Sequence, residues 1–110
     1  MIFALDLGEE IDEALRWVDL LKHHVGMFKI GKEAFTRFGP EIVSRIQERG
    51  GKVFLDLKFH DIPNTVAMAS RAATAMGISM FNIHALGGRE MMERAVDAVN
   101  TTARDRGIAP

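Results

Sequence analysis

The chain has 110 residues, and its 47% hydrophobic and 26% charged content is the balance of a soluble globular domain with enough apolar surface for one core. A formal net charge of -1 excludes the clustered basic excess of a nucleic-acid footprint, and the absence of cysteine excludes a disulfide framework, a thiolate zinc site and a cysteine nucleophile. The opening Met-Ile-Phe-Ala-Leu-Asp lacks the basic flank of a signal peptide, no apolar stretch approaches the ~20 residues of a membrane span, and a cytoplasmic protein with no membrane partner is expected.

Four times a short run of β-forming residues is followed by a segment with helical spacing. The first strand is expected at about 2–7, before a helix whose apolar face holds Ile11, Ala14, Leu15, Val18 and Leu21 and which His23-His24 and Gly26 end. A second strand is expected at about 27–31, with Lys32 and Glu33 as a solvated pair beyond it. Pro40 then opens a helix carrying Ile42, Val43 and Ile46. The third strand, about 52–59, leads into a helix with Val66, Ala69, Ala73 and Met76 on one face. The fourth, about 80–86, leads into one with Met91, Met92, Ala95, Val96 and Val99. Strand–helix repeated four times without a linker predicts one α/β domain over residues 1–110, built on four parallel strands with right-handed crossovers.

The two faces of the strands differ. Side chains alternate along a strand, so residues of equal parity share a face. Phe3, Leu5 and Leu7, Phe28 and Ile30, Val53, Leu55 and Leu57, and Phe81, Ile83 and Ala85 make one wholly apolar face that helices should cover. The other face begins apolar, with Ile2, Ala4, Met27, Phe54 and Met80. It turns polar toward the strand ends, with Asp6, Lys29, Asp56, Lys58, Asn82 and His84. Buried charge is costly unless paired or used, and sites of parallel α/β folds lie at the carboxyl ends of strands. Parity therefore gathers Asp6, Lys29, Asp56, Lys58 and His84 around one expected site.

Within Asp56-Leu57-Lys58-Phe59-His60-Asp61-Ile62-Pro63-Asn64-Thr65, Asp56 and Lys58 stand two apart and Asp61 follows on the loop into the third helix. With Lys29 from the neighbouring strand, two lysines and two aspartates alternate. A lysine so placed delivers a proton to a carbanion, and a fixed carboxylate repels a substrate anion that the reaction removes. The same alternation also serves as a structural ion-pair network, and spacing alone does not choose between the two. His60, His84 and Asp61 do not have the spacing of a metal triad, and Gly87-Gly88 is explained by a tight strand-to-helix connection. Trp17 and the methionines read as packing residues.

The segment DLKFHDIPNT, residues 56–65, resembles the signature of the orotidine 5′-phosphate decarboxylase family. FALDL at the first strand, FKIGKEAFTRFGPEIV across the second and FNIHALGG at the fourth resemble the same family in the same order. The resemblance implies four β/α units, the N-terminal half of a (β/α)8 barrel, acting on orotidine 5′-monophosphate to give UMP and CO2 with no cofactor and no metal. It makes Lys58 the proton donor to the ring carbon that loses CO2. Asp56 sits against the departing carboxylate, Lys29 completes the charge array and reaches the ribose, and Asp6 contacts a ribose hydroxyl. Family members are dimers with shared sites, so Asp61, Ile62 and Thr65 act in the partner subunit's site, and Asn64 belongs to the same substrate-binding run. Sugar-phosphate decarboxylases and aldolases share the Asp-x-Lys-x-x-Asp spacing, but carry an acidic residue where this chain has Lys29 and lack the Ile-Pro-Asn-Thr continuation.

A whole (β/α)8 barrel needs at least ~200 residues. The family's phosphate-gripping loops come from the last two strands, so a four-unit chain is expected to be inactive or very weak alone. An alternative expectation is a non-catalytic half-barrel module. Its exposed strand edges and the inner apolar residues Ile2, Ala4, Met27, Phe54 and Met80 favour self-association into a homo-oligomer, with a dimer closing a symmetric barrel as one form.

Overall fold

The computed structural model describes residues 1–6 and 8–108. Its contacts group into two compact units, Met1–Asp56 and the residues from Leu57 on.

The first unit holds strand β1 (Ile2–Ala4), helix α1 (Ile11–Leu21), strand β2 (Met27–Gly31), helices α2 (Lys32–Phe38) and α3 (Glu41–Glu48), and the start of β3 (Val53–Phe59). β1 pairs parallel to β2 with Phe3 opposite Phe28, and β2 pairs parallel to β3 with Ile30 opposite Leu55. The apolar face expected from parity is the buried one: Leu5, Phe28, Ile30, Val53 and Leu55 are each at most 1% exposed, whereas Ile2 on the other face is 45% exposed. Ala14, Leu15 and Val18 of α1 and Ile42, Val43 and Ile46 of α3 are buried, as their helical spacing predicts. Trp17 stacks on Phe3, with ring centroids 6.4 Å apart.

The structure departs from the sequence expectations at several points in this unit. β1 is shorter than 2–7. One more ladder bond, Leu5 N–H to the Lys29 carbonyl at 3.0 Å, follows Ala4, and Gly8 then turns the chain with φ 88°. Leu7, assigned to the strand from its sequence, lies outside the described residues. Lys32 and Glu33 are exposed beyond β2, as expected, but they open α2, a helix not expected from the sequence, whose Glu33 and Arg37 form an i,i+4 ion pair at 3.2 Å. His23-His24 lie just past α1 in the turn leading to β2, and Pro40 caps α3 rather than opening its first turn.

The second unit holds the end of β3, helix α4 (Pro63–Ala75), strand β4 (Met80–Ile83), one 3-10 turn (Ala85–Gly87) and helix α5 (Arg89–Arg106). β3 is hydrogen-bonded to β2 on one side and β4 on the other, so the four strands run in chain order. α4 and α5 pack on each other along their lengths. Their buried residues are mostly small: Ala67, Ser70, Ala73 and Thr74 on α4, and Ala95, Ala98, Thr102 and Ala103 on α5. Small side chains let two helices approach closely. On α5 the stripe the sequence suggests holds at Met91 and Ala95, which are buried, but Val96 is 56% exposed and Ala98 is buried instead. Val66, Met91 and Ala95 form a core cluster flanked by Phe59, Ile83 and Met92.

β4 ends at Ile83 rather than Leu86, because local hydrogen bonds replace the ladder. The Leu86 N–H donates to His84 Nδ1 at 3.2 Å and the Gly87 N–H to the His84 carbonyl at 3.0 Å, leaving Leu86 81% exposed. No helix among the described residues is long and apolar enough to cross a membrane.

Candidate active site

In the first unit the β2–β3 register sets Gly31 opposite Asp56 and Lys29 opposite Phe54. Lys29 Nζ lies 3.3 Å from Asp56 Oδ2, with side chains 28% and 11% exposed. Asp56 is a buried carboxylate among otherwise apolar neighbours on β3, a position that is costly for an unpaired ion. Asp6 follows β1 and is exposed. Its Oδ1 stands 3.8 Å from where a side chain at Gly31 would begin, so Asp6 closes on the end of β2 next to the residue that faces Asp56. Asp6, Lys29 and Asp56 thus gather at the carboxyl ends of the first unit's strands, as parity predicts for these three.

The second unit carries Lys58, Asp61, Ile62, Asn64 and Thr65, all exposed. Lys58 is the one non-glycine residue with positive φ, 50°, among the described residues, so the backbone is not extended at this point. The strict alternation that put Lys58 on the face of Asp56 assumes extended backbone, and Lys58 departs from it. Its N–H donates to Asn82 Oδ1 of β4 at 2.8 Å. Asp61 Oδ1 accepts the Ile62 N–H at 2.7 Å, which fixes the turn before α4, and Pro63 takes the first helical position, where its missing N–H costs nothing. Asn64 and Thr65 follow on the exposed first turn of that helix. His84 stacks on His60, with centroids 4.9 Å apart and planes 20° from parallel, while its Nδ1 accepts the Leu86 N–H.

Two features of this unit escape sequence reasoning. Asn82 shares the polar-turning face with the charged residues, but its grip on the Lys58 backbone depends on a bend that parity does not register. The His60–His84 stack joins residues 24 apart in sequence, and nothing in either local motif signals it.

The fold defines a class: four consecutive parallel β/α units, half the complement of a (β/α)8 barrel, with ionisable residues at the carboxyl ends of the strands, where such barrels carry their chemistry. Within that class, the sequence model of the "Orotidine 5′-phosphate decarboxylase / HUMPS family" matches residues 1–108, and the chain belongs to that family. It is 58% identical over 108 residues to the orotidine 5′-phosphate decarboxylase of Syntrophus aciditrophicus, an alignment covering 98% of this chain and 43% of that protein. Among solved structures, an uncharacterized conserved protein from Geobacillus kaustophilus superposes with a TM-score of 0.84 at 40% identity, covering 92% of this chain and 46% of that one. The orotidine 5′-phosphate decarboxylase of Pyrococcus horikoshii OT3 gives 0.81 at 27% identity, covering 89% and 48%. The chain spans less than half the length of these relatives.

Proposed function

We propose that this chain supplies the charge-array half of an orotidine 5′-monophosphate decarboxylase site. The observation that carries the reading is the Lys29–Asp56 ion pair at the strand ends, on a chain whose family model runs through the whole DLKFHDIPNT segment. In the reaction the bond between the pyrimidine ring carbon and its carboxylate breaks. The electron pair stays on the ring carbon, and a proton from the Lys58 ammonium replaces the departing CO2. Asp56 stands against the substrate carboxylate and disfavours the charge that is about to leave. Lys29 pairs with Asp56 and reaches the ribose, and Asp6 binds a ribose hydroxyl. Asp61, Ile62 and Thr65, exposed around the start of α4, complete the site of a partner subunit in a homodimer, and Asn64 belongs to the same substrate-binding run. Catalysis is then chiefly electrostatic, from groups held in place before the substrate arrives. The protein works as one cytoplasmic (βα)4 domain without a metal or cofactor.

Remote phosphate binding orients the reacting ring in such an enzyme, and four β/α units do not provide the phosphate loops of strands seven and eight. Turnover by this chain alone is accordingly very weak. A second reading, a self-associating half-barrel that does not turn over, is favoured by one observation: Ile2, Met80 and Val96 leave apolar surface exposed, at 45%, 39% and 56%.

The test is orotidine 5′-monophosphate turnover at high protein concentration, followed by loss of the orotate chromophore beside a Lys58→Ala control. Turnover that disappears with Lys58→Ala supports the decarboxylase reading. Turnover no higher than the control leaves the family membership standing and makes this chain a half-barrel module that does not turn over by itself.

A further inference from the structure

Lys58 combines a residue type and a backbone conformation that do not suit each other. A φ of 50° lies in the left-handed region, unfavourable for a side chain with a Cβ, and lysine has no short polar group with which to compensate locally. Such a residue persists only where its surroundings hold it. The ladder between the end of β3 and β4 shows what does so. One residue on, the Phe59 carbonyl accepts the His84 N–H at 2.9 Å in the ordinary way. At Lys58 itself the backbone N–H goes to a side chain, Asn82 Oδ1, at 2.8 Å, a short and well-formed bond.

We propose that Asn82 is a positioning residue: its side-chain carbonyl captures the Lys58 amide, holds that residue in the left-handed conformation, and so sets the direction in which the Lys58 ammonium leaves the strand. Asparagine suits the task because its acceptor sits on a short stem that reaches a neighbouring strand's N–H, and it adds no charge beside a lysine. A glycine at 58 would adopt the same backbone freely but carries no ammonium. A lysine retained in a glycine-like conformation is the kind of local conflict that functional sites keep and the rest of a fold removes. The catalytic half of the inference rests on Lys58 being the proton donor of the proposed function. The conformational half does not, which lets the two fail separately.

The experiment is NMR on the isotope-labelled chain. The Lys58 Cα and carbonyl shifts and the HN–Hα coupling report φ, and amide exchange reports the hydrogen bond. Asn82→Ala is expected to accelerate Lys58 amide exchange about tenfold, the size of one lost hydrogen bond, and to move its shifts and coupling away from left-handed values. Asn82→Asp, which keeps an acceptor at the same reach, should retain them. An Asn82→Ala chain whose Lys58 shifts, coupling and exchange are unchanged overturns the proposal. If Asn82→Ala does not fold, Lys58→Gly with Asn82→Ala is expected to fold, because glycine needs no support there, and failure of that pair too refutes the assignment. Where turnover is measurable, Asn82→Ala should lower kcat with KM unchanged and Asn82→Asp should restore it. An unaltered kcat sinks the positioning role. If the parent chain shows no turnover, it is a half-barrel module that does not turn over by itself, while the NMR result still decides what holds Lys58.

Discussion

Lys29 and Asp56 meet diagonally across two parallel strands. Lys29 is opposite Phe54 and Asp56 is opposite Gly31, so the lysine reaches along the strand direction to bring Nζ within 3.3 Å of Oδ2. Diagonal neighbours in a sheet are within reach of a long side chain, and glycine at 31 puts no side chain opposite the carboxylate. The pair is neither fully exposed nor fully buried, which sets the scale of its contribution between the surface and interior limits.

Asp56→Asn keeps the shape of the side chain and removes its charge. It is expected to lower stability by about 1–2 kcal/mol, read from the urea midpoint at unchanged slope. Lys29→Met in the same background should cost less than it does alone, because the lysine no longer has this carboxylate to lose. Strict additivity of the two substitutions would show that the pair contributes nothing.

Gly51 follows α3 at a point of close approach. A Cβ there would lie 2.7 Å from Ile46 Cγ2 and 3.3 Å from the Ile46 carbonyl, and Ile46 is fully buried. Gly51→Ala must therefore push a packed core residue aside, at an expected cost of about 1–3 kcal/mol. Thermal unfolding measures it, and an unchanged Tm would mean that Ile46 yields freely.

Ser70 is fully buried in α4, and its hydroxyl has no hydrogen-bond partner among the described residues, although its carbonyl accepts from Thr74 Oγ1 at 2.8 Å. Burying an unpartnered hydroxyl is unfavourable, and alanine is the better helix former. Ser70→Ala should raise stability by up to about 1 kcal/mol. Destabilisation of that size in chemical denaturation would show that the hydroxyl has a partner after all.

Lys58→Gly inverts the usual sign for glycine in a strand. Glycine normally weakens a strand interior by about 0.5–1 kcal/mol, but at φ 50° it relieves a left-handed residue worth roughly 1–2 kcal/mol. The expected result is a chain as stable as the parent or up to about 1 kcal/mol more so, with the proposed turnover lost. A drop in stability measured by denaturant unfolding would argue that the lysine side chain contributes more to the fold than its backbone costs.

Periodicity alone made the strand faces, the buried stripes of α1 and α3 and the clustering of charge toward the carboxyl ends legible, because alternation and helical spacing are local properties and these elements bury their larger apolar residues. α2 went unread because seven residues between two glycines leave too short a window for a helical pattern to stand out. The buried side of α5 is legible only in part, for a different reason. Hydropathy groups Met91, Ala95 and Val96, but the close approach of α4 buries Ala98 and Thr102 with the first two and leaves Val96 exposed, and that choice belongs to two helices at once. The site divides in the same way. Which residues carry charge, and on which strand, follows from composition and parity. That Lys29 reaches Asp56 diagonally, and that Lys58 turns left-handed under the hold of Asn82, depends on register and on a hydrogen bond between residues 24 apart. No local pattern encodes a partner that only the paired strands bring within bonding distance.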